Sequence, residues 1–135
     1  MTMRTTLPLL LVLLTACASD RRELEQLVGA PLAHDTQVTS WQPNPDLKPS
    51  AYYAVRKLDE AGFRRLAGAV GLTPTPSAGI AEAVWRLPVG VTLKGWAAPS
   101  VPAGAGLDAR GSVGGANVWL RWHEGTVFLV ALRAS

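Results

Sequence analysis

The chain predicts an α+β domain: a small antiparallel sheet of about four or five strands with one main helix packed on it. Three observations carry this. A run rich in aromatic and β-branched residues at 51–56 is followed at once by a capped, amphipathic stretch ending near residue 70. The last twenty residues read as two strands around a glycine turn. No internal repeat or sustained heptad is present, so one core built from a few strands and a helix is the simplest architecture.

Residues 18–29 predict a short helix. Ser19 or Asp20 can cap it, and Glu23 lies three residues after Asp20 in the manner of a capping box. Leu24, Leu27 and Val28 fall on one face, and Gly29 with Pro31 ends the run. Residues 30–50 are polar and carry four prolines, Pro31, Pro43, Pro45 and Pro49. They predict a connecting arm with one short strand near 37–41.

The run Ala51-Tyr52-Tyr53-Ala54-Val55-Arg56 predicts a strand. Asp59 then caps a helix in which Phe63, Leu66, Ala67 and Val70 recur at i, i+3, i+4 and i+7, a stripe facing the core. Arg64 and Arg65 lie off that stripe. Gly71 and Pro74 terminate it. Residues 73–80 and 97–106 predict loops. Residues 81–87 predict a strand or a helix turn, the strand favoured because Val84-Trp85 precede Pro88, and 91–96 predict another short strand. The glycines of 111–115 precede a strand rather than a helix, so they predict a flexible turn or bulge and not a phosphate cradle.

The C-terminus predicts a β-hairpin of residues 117–122 and 126–132. A three-residue loop, His123-Glu124-Gly125, puts Gly125 in the left-handed bulge position. In that register Val118, Leu120 and Trp122 share a core face with Phe128 and Val130. Asn117, Trp119 and Arg121 then share the other face with Val127, Leu129 and Ala131. That second face is too apolar for open water, so the hairpin is expected to be central, or covered by a helix or a partner.

The first seventeen residues are of another kind. Arg4 precedes an apolar run from Leu7 to Leu14, followed by Thr15-Ala16-Cys17. Eight residues are too few to span a bilayer, which takes about 20. A charged start, a short apolar run and small residues at its end mark a secretory signal. Leu14-Thr15-Ala16-Cys17 resembles the lipobox of bacterial lipoproteins. The resemblance covers residues 1–17 alone. It implies cleavage before Cys17, a diacylglyceryl group on its thiol and acylation of the new amino terminus, the two anchors that stable attachment needs. Ala18 and Ser19 follow Cys17 where that family's inner-membrane retention signal has Asp. This implies the outer membrane, facing the periplasm, in a diderm host. The organisation that follows is residues 1–16 as signal peptide, 17–50 as lipidated N-terminus, short helix and connecting arm, and 51–135 as the α+β domain.

Cys17 is the sole cysteine, so the domain holds together without an internal disulfide. A formal net charge of +3 with no long Lys/Arg run argues against nucleic acid as a partner. No metal-ligand spacing or cofactor motif is present. His34 and His123 each have an acidic sequence neighbour, but adjacent residues on a strand point to opposite faces. No serine lies in a nucleophile-elbow context. No catalytic residues are assigned.

Trp41, Trp85, Trp96, Trp119 and Trp122 are the one compositional feature that suggests binding, since tryptophan is enriched at interface hot spots. Trp119, its same-face neighbour Arg121, and Trp96 are the candidate partner-binding residues. The expectation is a membrane-held, non-enzymatic binding module for an envelope protein or a cell-wall glycan. Two alternatives stand beside it. One is an inhibitor or immunity lipoprotein acting against a lytic enzyme or toxin. The other is a small envelope hydrolase using His123 or His34.

Overall fold

A computed structural model describes residues 19–77, 83–97 and 101–134. The signal-like segment and Cys17 lie outside the described residues.

A helix, α1, covers residues 19–28. Six strands follow: β1 (Gln37–Trp41), β2 (Ala51–Lys57), β3 (Thr75–Pro76), β4 (Leu107–Val113), β5 (Ala116–His123) and β6 (Thr126–Arg133). The second helix, α2 (Glu60–Ala69), lies between β2 and β3. The strands form one sheet in the order β1-β2-β6-β5-β4-β3, every neighbouring pair antiparallel. The class is the expected α+β. The sheet has six strands rather than four or five, and two helices pack on it rather than one.

The C-terminal strand is central. β6 inserts between β2 and β5, so residues distant in sequence meet in the middle of the sheet. Both faces of β2 and β6 are buried, which removes the in-out alternation of a half-exposed strand. On one face, α1 contributes Leu24 and Val28 and α2 contributes Phe63 and Ala67. They pack against Tyr52, Ala54, Val118, Leu120, Val127, Leu129 and Ala131. The Asp59 carboxylate accepts from the Gly62 amide at 2.7 Å, capping α2. The Trp122 indole N–H donates to the Leu58 carbonyl at 2.7 Å and ties β5 to the start of α2.

The opposite face is covered by irregular chain drawn from residues 83–97 and 101–106. Trp85, Val84, Leu87, Leu93 and Trp96 seat on Tyr53, Val55, Phe128 and Val130. Ala83–Trp85 is a 3-10 turn and residues 91–96 are irregular, so neither forms the expected strand. Residues 81 and 82 lie outside the described residues. Residues 107–110, given no element from the sequence, and 111–113 of the expected glycine turn form β4, paired along its length with β5, and Gly114-Gly115 make the turn between them. Residues 75 and 76, inside the expected loop 73–80, form β3 on the outer edge of β4.

The hairpin register differs from expectation by one residue. His123 pairs with Thr126, leaving a two-residue turn of Glu124 and Gly125 with φ of 48° and 76°. Two successive left-handed residues make the mirror-image turn that matches strand twist. A one-residue shift reverses every facial assignment on one strand. Trp119 and Arg121 therefore share a face with Phe128 and Val130, and Val118, Leu120 and Trp122 share theirs with Val127, Leu129 and Ala131.

Residues 19–50 are part of the domain rather than an arm. β1 is a strand of the sheet and α1 supplies core residues. Arg21 donates to the carbonyls of Ala33 (2.5 Å), His34 (3.1 Å) and Thr36 (2.8 Å). The Leu32 amide donates to Glu25 at 2.6 Å.

Candidate functional site

The β4–β5 register sets the site. It places Asp108 opposite Arg121 and Arg110 opposite Trp119, all four on the sheet face away from the helices. The 3-10 turn then lays Trp85 over this corner. The Arg121 guanidinium carbon lies 4.8 Å from the centre of the Trp85 ring. Its Nε donates to Asp108 Oδ1 at 2.8 Å and its Nη2 to Oδ2 at 3.0 Å. Arg121 is 2% exposed, so a bidentate carboxylate and an aromatic face satisfy a charge withdrawn from water.

Beside this pair is a cavity of about 210 Å³ lined by Trp85, Trp119, Asp108, Arg110, Thr75 and Pro76, with Ala109 and Leu120 at its base. β3 forms its rim, and the Thr75 hydroxyl donates to the Asp108 carbonyl at 3.3 Å. Pockets for drug-sized ligands run from roughly 300 to 1,000 Å³, so this one suits a single ring or side chain. The indole N–H of half-buried Trp119 is shielded from solvent and has no acceptor among the described residues. Buried donors nearly always find a partner, which makes this one unusual, and other parts of the same side chain line the cavity. Two indoles, a carboxylate and a hydroxyl can hold a flat or ring-shaped polar group. None of these residues is a nucleophile activated by a neighbouring base.

Of the residues singled out from the sequence, Trp119 lines this cavity. Arg121, expected to join Trp119 in binding a partner, is buried behind the cavity wall and engaged by Asp108. Trp96 is half-buried and serves the core. Its N–H donates to the Trp85 carbonyl at 2.9 Å, and its ring meets Tyr53 and Phe128 edge-on at 5.8 and 5.5 Å. His34 is exposed in the α1–β1 loop, and His123 Nε2 lies 3.8 Å from exposed Glu124. Neither lines this cavity. Among the described residues no three His, Cys, Asp or Glu converge as metal ligands.

Trp85, Asp108 and Thr75 were not singled out from the sequence. The signal was the alternation of Leu107, Ala109, Gly111 and Val113 with polar neighbours, ending at Gly114-Gly115. A glycine pair between alternating runs is a hairpin sign, and Gly114 does take φ 55° in that turn.

A second cavity, about 230 Å³, lies on the helical face between Pro31–Ala33, Gly62, Leu66 and Leu129. It is a packing seam without an orphan polar group among the described residues, which favours the tryptophan cavity as the site. No protein-family model matches the sequence, and comparison with curated proteins and with solved structures finds no significant match.

Proposed function

We propose that this is a lipid-anchored envelope protein, held through Cys17, whose domain is a non-enzymatic binding module. The tryptophan cavity takes one ring or side chain of an envelope partner. A sugar ring of a cell-wall glycan suits it best, because a sugar brings both a carbon face for an indole and hydroxyls to bond the polar groups of Asp108 and Thr75. The placing of two indoles, Trp85 and Trp119, with Asp108 and Thr75 around one cavity carries this reading. The lipobox-like Leu14-Thr15-Ala16-Cys17 supports the anchor, and Ala18-Ser19 supports the outer membrane, periplasmic side, in a diderm host. Among the described residues no helix is long and apolar enough to cross a membrane, so attachment through a lipid would supply the hold.

The test uses the lipidated protein and soluble disaccharide peptides released from cell wall, followed by tryptophan fluorescence. The expected result is saturable quenching whose midpoint rises about tenfold, or about 1.4 kcal/mol, in Trp119→Phe, which replaces the indole with a smaller phenyl ring. Equal binding by Trp119→Phe and the parent protein would remove the cavity from consideration.

A further inference from the structure

We propose that the loop between β1 and β2, tipped by Leu47, rests in the headgroup layer of the bilayer that holds Cys17. This rests on the lipid-anchor reading above.

The argument begins with reach. Two peptide units separate Cys17 from Ser19, where α1 is already helical, so their Cα atoms are at most about 7 Å apart. α1 is not free to swing. Besides the Arg21 and Glu25 bonds, Ser40 donates to Asp20 at 3.2 Å and the Tyr52 hydroxyl donates to Glu23. The start of α1 is thereby set at one corner of the sheet, beside Ser40 on edge strand β1, and the covalent reach keeps a lipid on Cys17 near it.

The 42–50 loop springs from that same corner. Ser40 precedes Trp41, whose carbonyl accepts from the Ser50 amide at 2.9 Å and closes the loop at its base. The tip is a built turn. The Leu47 amide donates to the Asn44 carbonyl at 2.9 Å and the Asp46 amide to the Asn44 side chain at 3.0 Å. Pro43, Pro45 and Pro49 stiffen the rest. On this turn Leu47 is 56% exposed, one of two such large apolar residues among the described ones.

The charges around it suit an anionic lipid surface. Lys48 in the loop, Arg22 on the first turn of α1 and Arg133 are exposed, and Asp46 is the loop's one carboxylate. Arg133 Nε donates to the Pro49 carbonyl at 3.1 Å, which holds that cation against the loop base. An apolar tip ringed by cations and held near a lipid is the pattern of an interfacial contact. The Glu124–Gly125 turn lies at the other end of the sheet, about 20 Å away along β2. It would point from the bilayer.

The test is depth quenching of the lipidated protein in vesicles of phosphatidylethanolamine and phosphatidylglycerol. The lipid occupies the sole native thiol, so Leu47→Cys and Glu124→Cys each carry one environment-sensitive fluorophore. With nitroxide-bearing lipids added, the label at 47 is expected to lose roughly half its emission and shift to the blue, while the label at 124 changes little. Equal behaviour of the two labels overturns the proposed orientation. Intact mass separates the two levels. A protein without the diacylglyceryl mass on Cys17 removes the anchor reading and this one together, whereas a lipidated protein with no quenching at 47 removes this one alone.

Discussion

Arg121 and Asp108 face each other across β5 and β4, joined by two bonds of 2.8 and 3.0 Å with the Trp85 ring over the guanidinium. The partners differ in burial: Arg121 is almost wholly enclosed, while the Asp108 side chain keeps 25% of its surface open. Removing the carboxylate charge leaves a cation in a site built to neutralise it. Asp108→Asn should therefore destabilise the domain by roughly 3 kcal/mol, at the lower end for broken buried pairs. Combining Asp108→Leu with Arg121→Met should recover most of that loss. Urea unfolding measures both, and a cost under about 1 kcal/mol for Asp108→Asn would show that the pair is not a structural centre.

Glu124 sits at φ 48°, where an L side chain crowds its own backbone. Asparagine tolerates this conformation and is favoured in two-residue hairpin turns. Glu124→Asn should stabilise by up to about 1 kcal/mol. Gly125→Ala, at φ 76°, should cost about as much. Were the turn a three-residue bulge, Glu124→Asn would bring no gain, so its unfolding midpoint also tests the register.

Arg21 fastens α1 by donating to three carbonyls between β1 and the helix. Hydrogen bonds from charged donors contribute roughly 1.5–3 kcal/mol each where no water replaces them, but these are half-open, so Arg21→Ala should cost about 2 kcal/mol in total. Amide exchange in residues 19–28 should quicken more than in β5 or β6. Uniform quickening across the domain would mean that the helix and the sheet open together.

The chain has two tyrosines, adjacent on β2, and both hydroxyls are held above their usual range. Burial raises both. At Tyr52 the Glu23 carboxylate adds to the effect, and the hydroxyl is pushed up to about 12. A folded value above the unfolded one means this stabilisation is complete below pH 10 and is lost as pH rises through about 12. Absorbance near 295 nm should thus show no tyrosinate until well past pH 10. Glu23→Gln should bring the Tyr52 step down. An ordinary titration in the parent protein would contradict the Tyr52–Glu23 bond.

Local chemistry was legible in the sequence where one residue decides it. Asp59 announced α2, and the aromatic, β-branched run announced β2. The hairpin was legible as an element but not in its register, because Gly125 fits both a bulge and a two-residue turn, and the difference lies in whether Glu124 accepts a left-handed backbone. β4 was obscured because Asp108, Arg110 and Gly111 have poor strand propensity. Their pairing is set by β5 and by the Arg121 ion pair, which are tertiary facts. The same holds for the site. Trp119 was visible as a candidate, but its cavity needs Trp85, which arrives from 34 residues earlier by way of the covering segment.

That covering segment is closed on itself. The Ser77 amide donates to the Gly106 carbonyl and the Gly104 amide to the Ser77 carbonyl, each at 2.8 Å, so its two ends meet. Those bonds stand at the edge of the sheet, where Ser77 follows β3 and Gly106 precedes β4. One face of the sheet is thus sealed by helices and the other by chain without a helix or strand ladder of its own. Trp85 stands within that segment, so one wall of the cavity is built by a loop and the facing wall, Trp119, by the strand ladder.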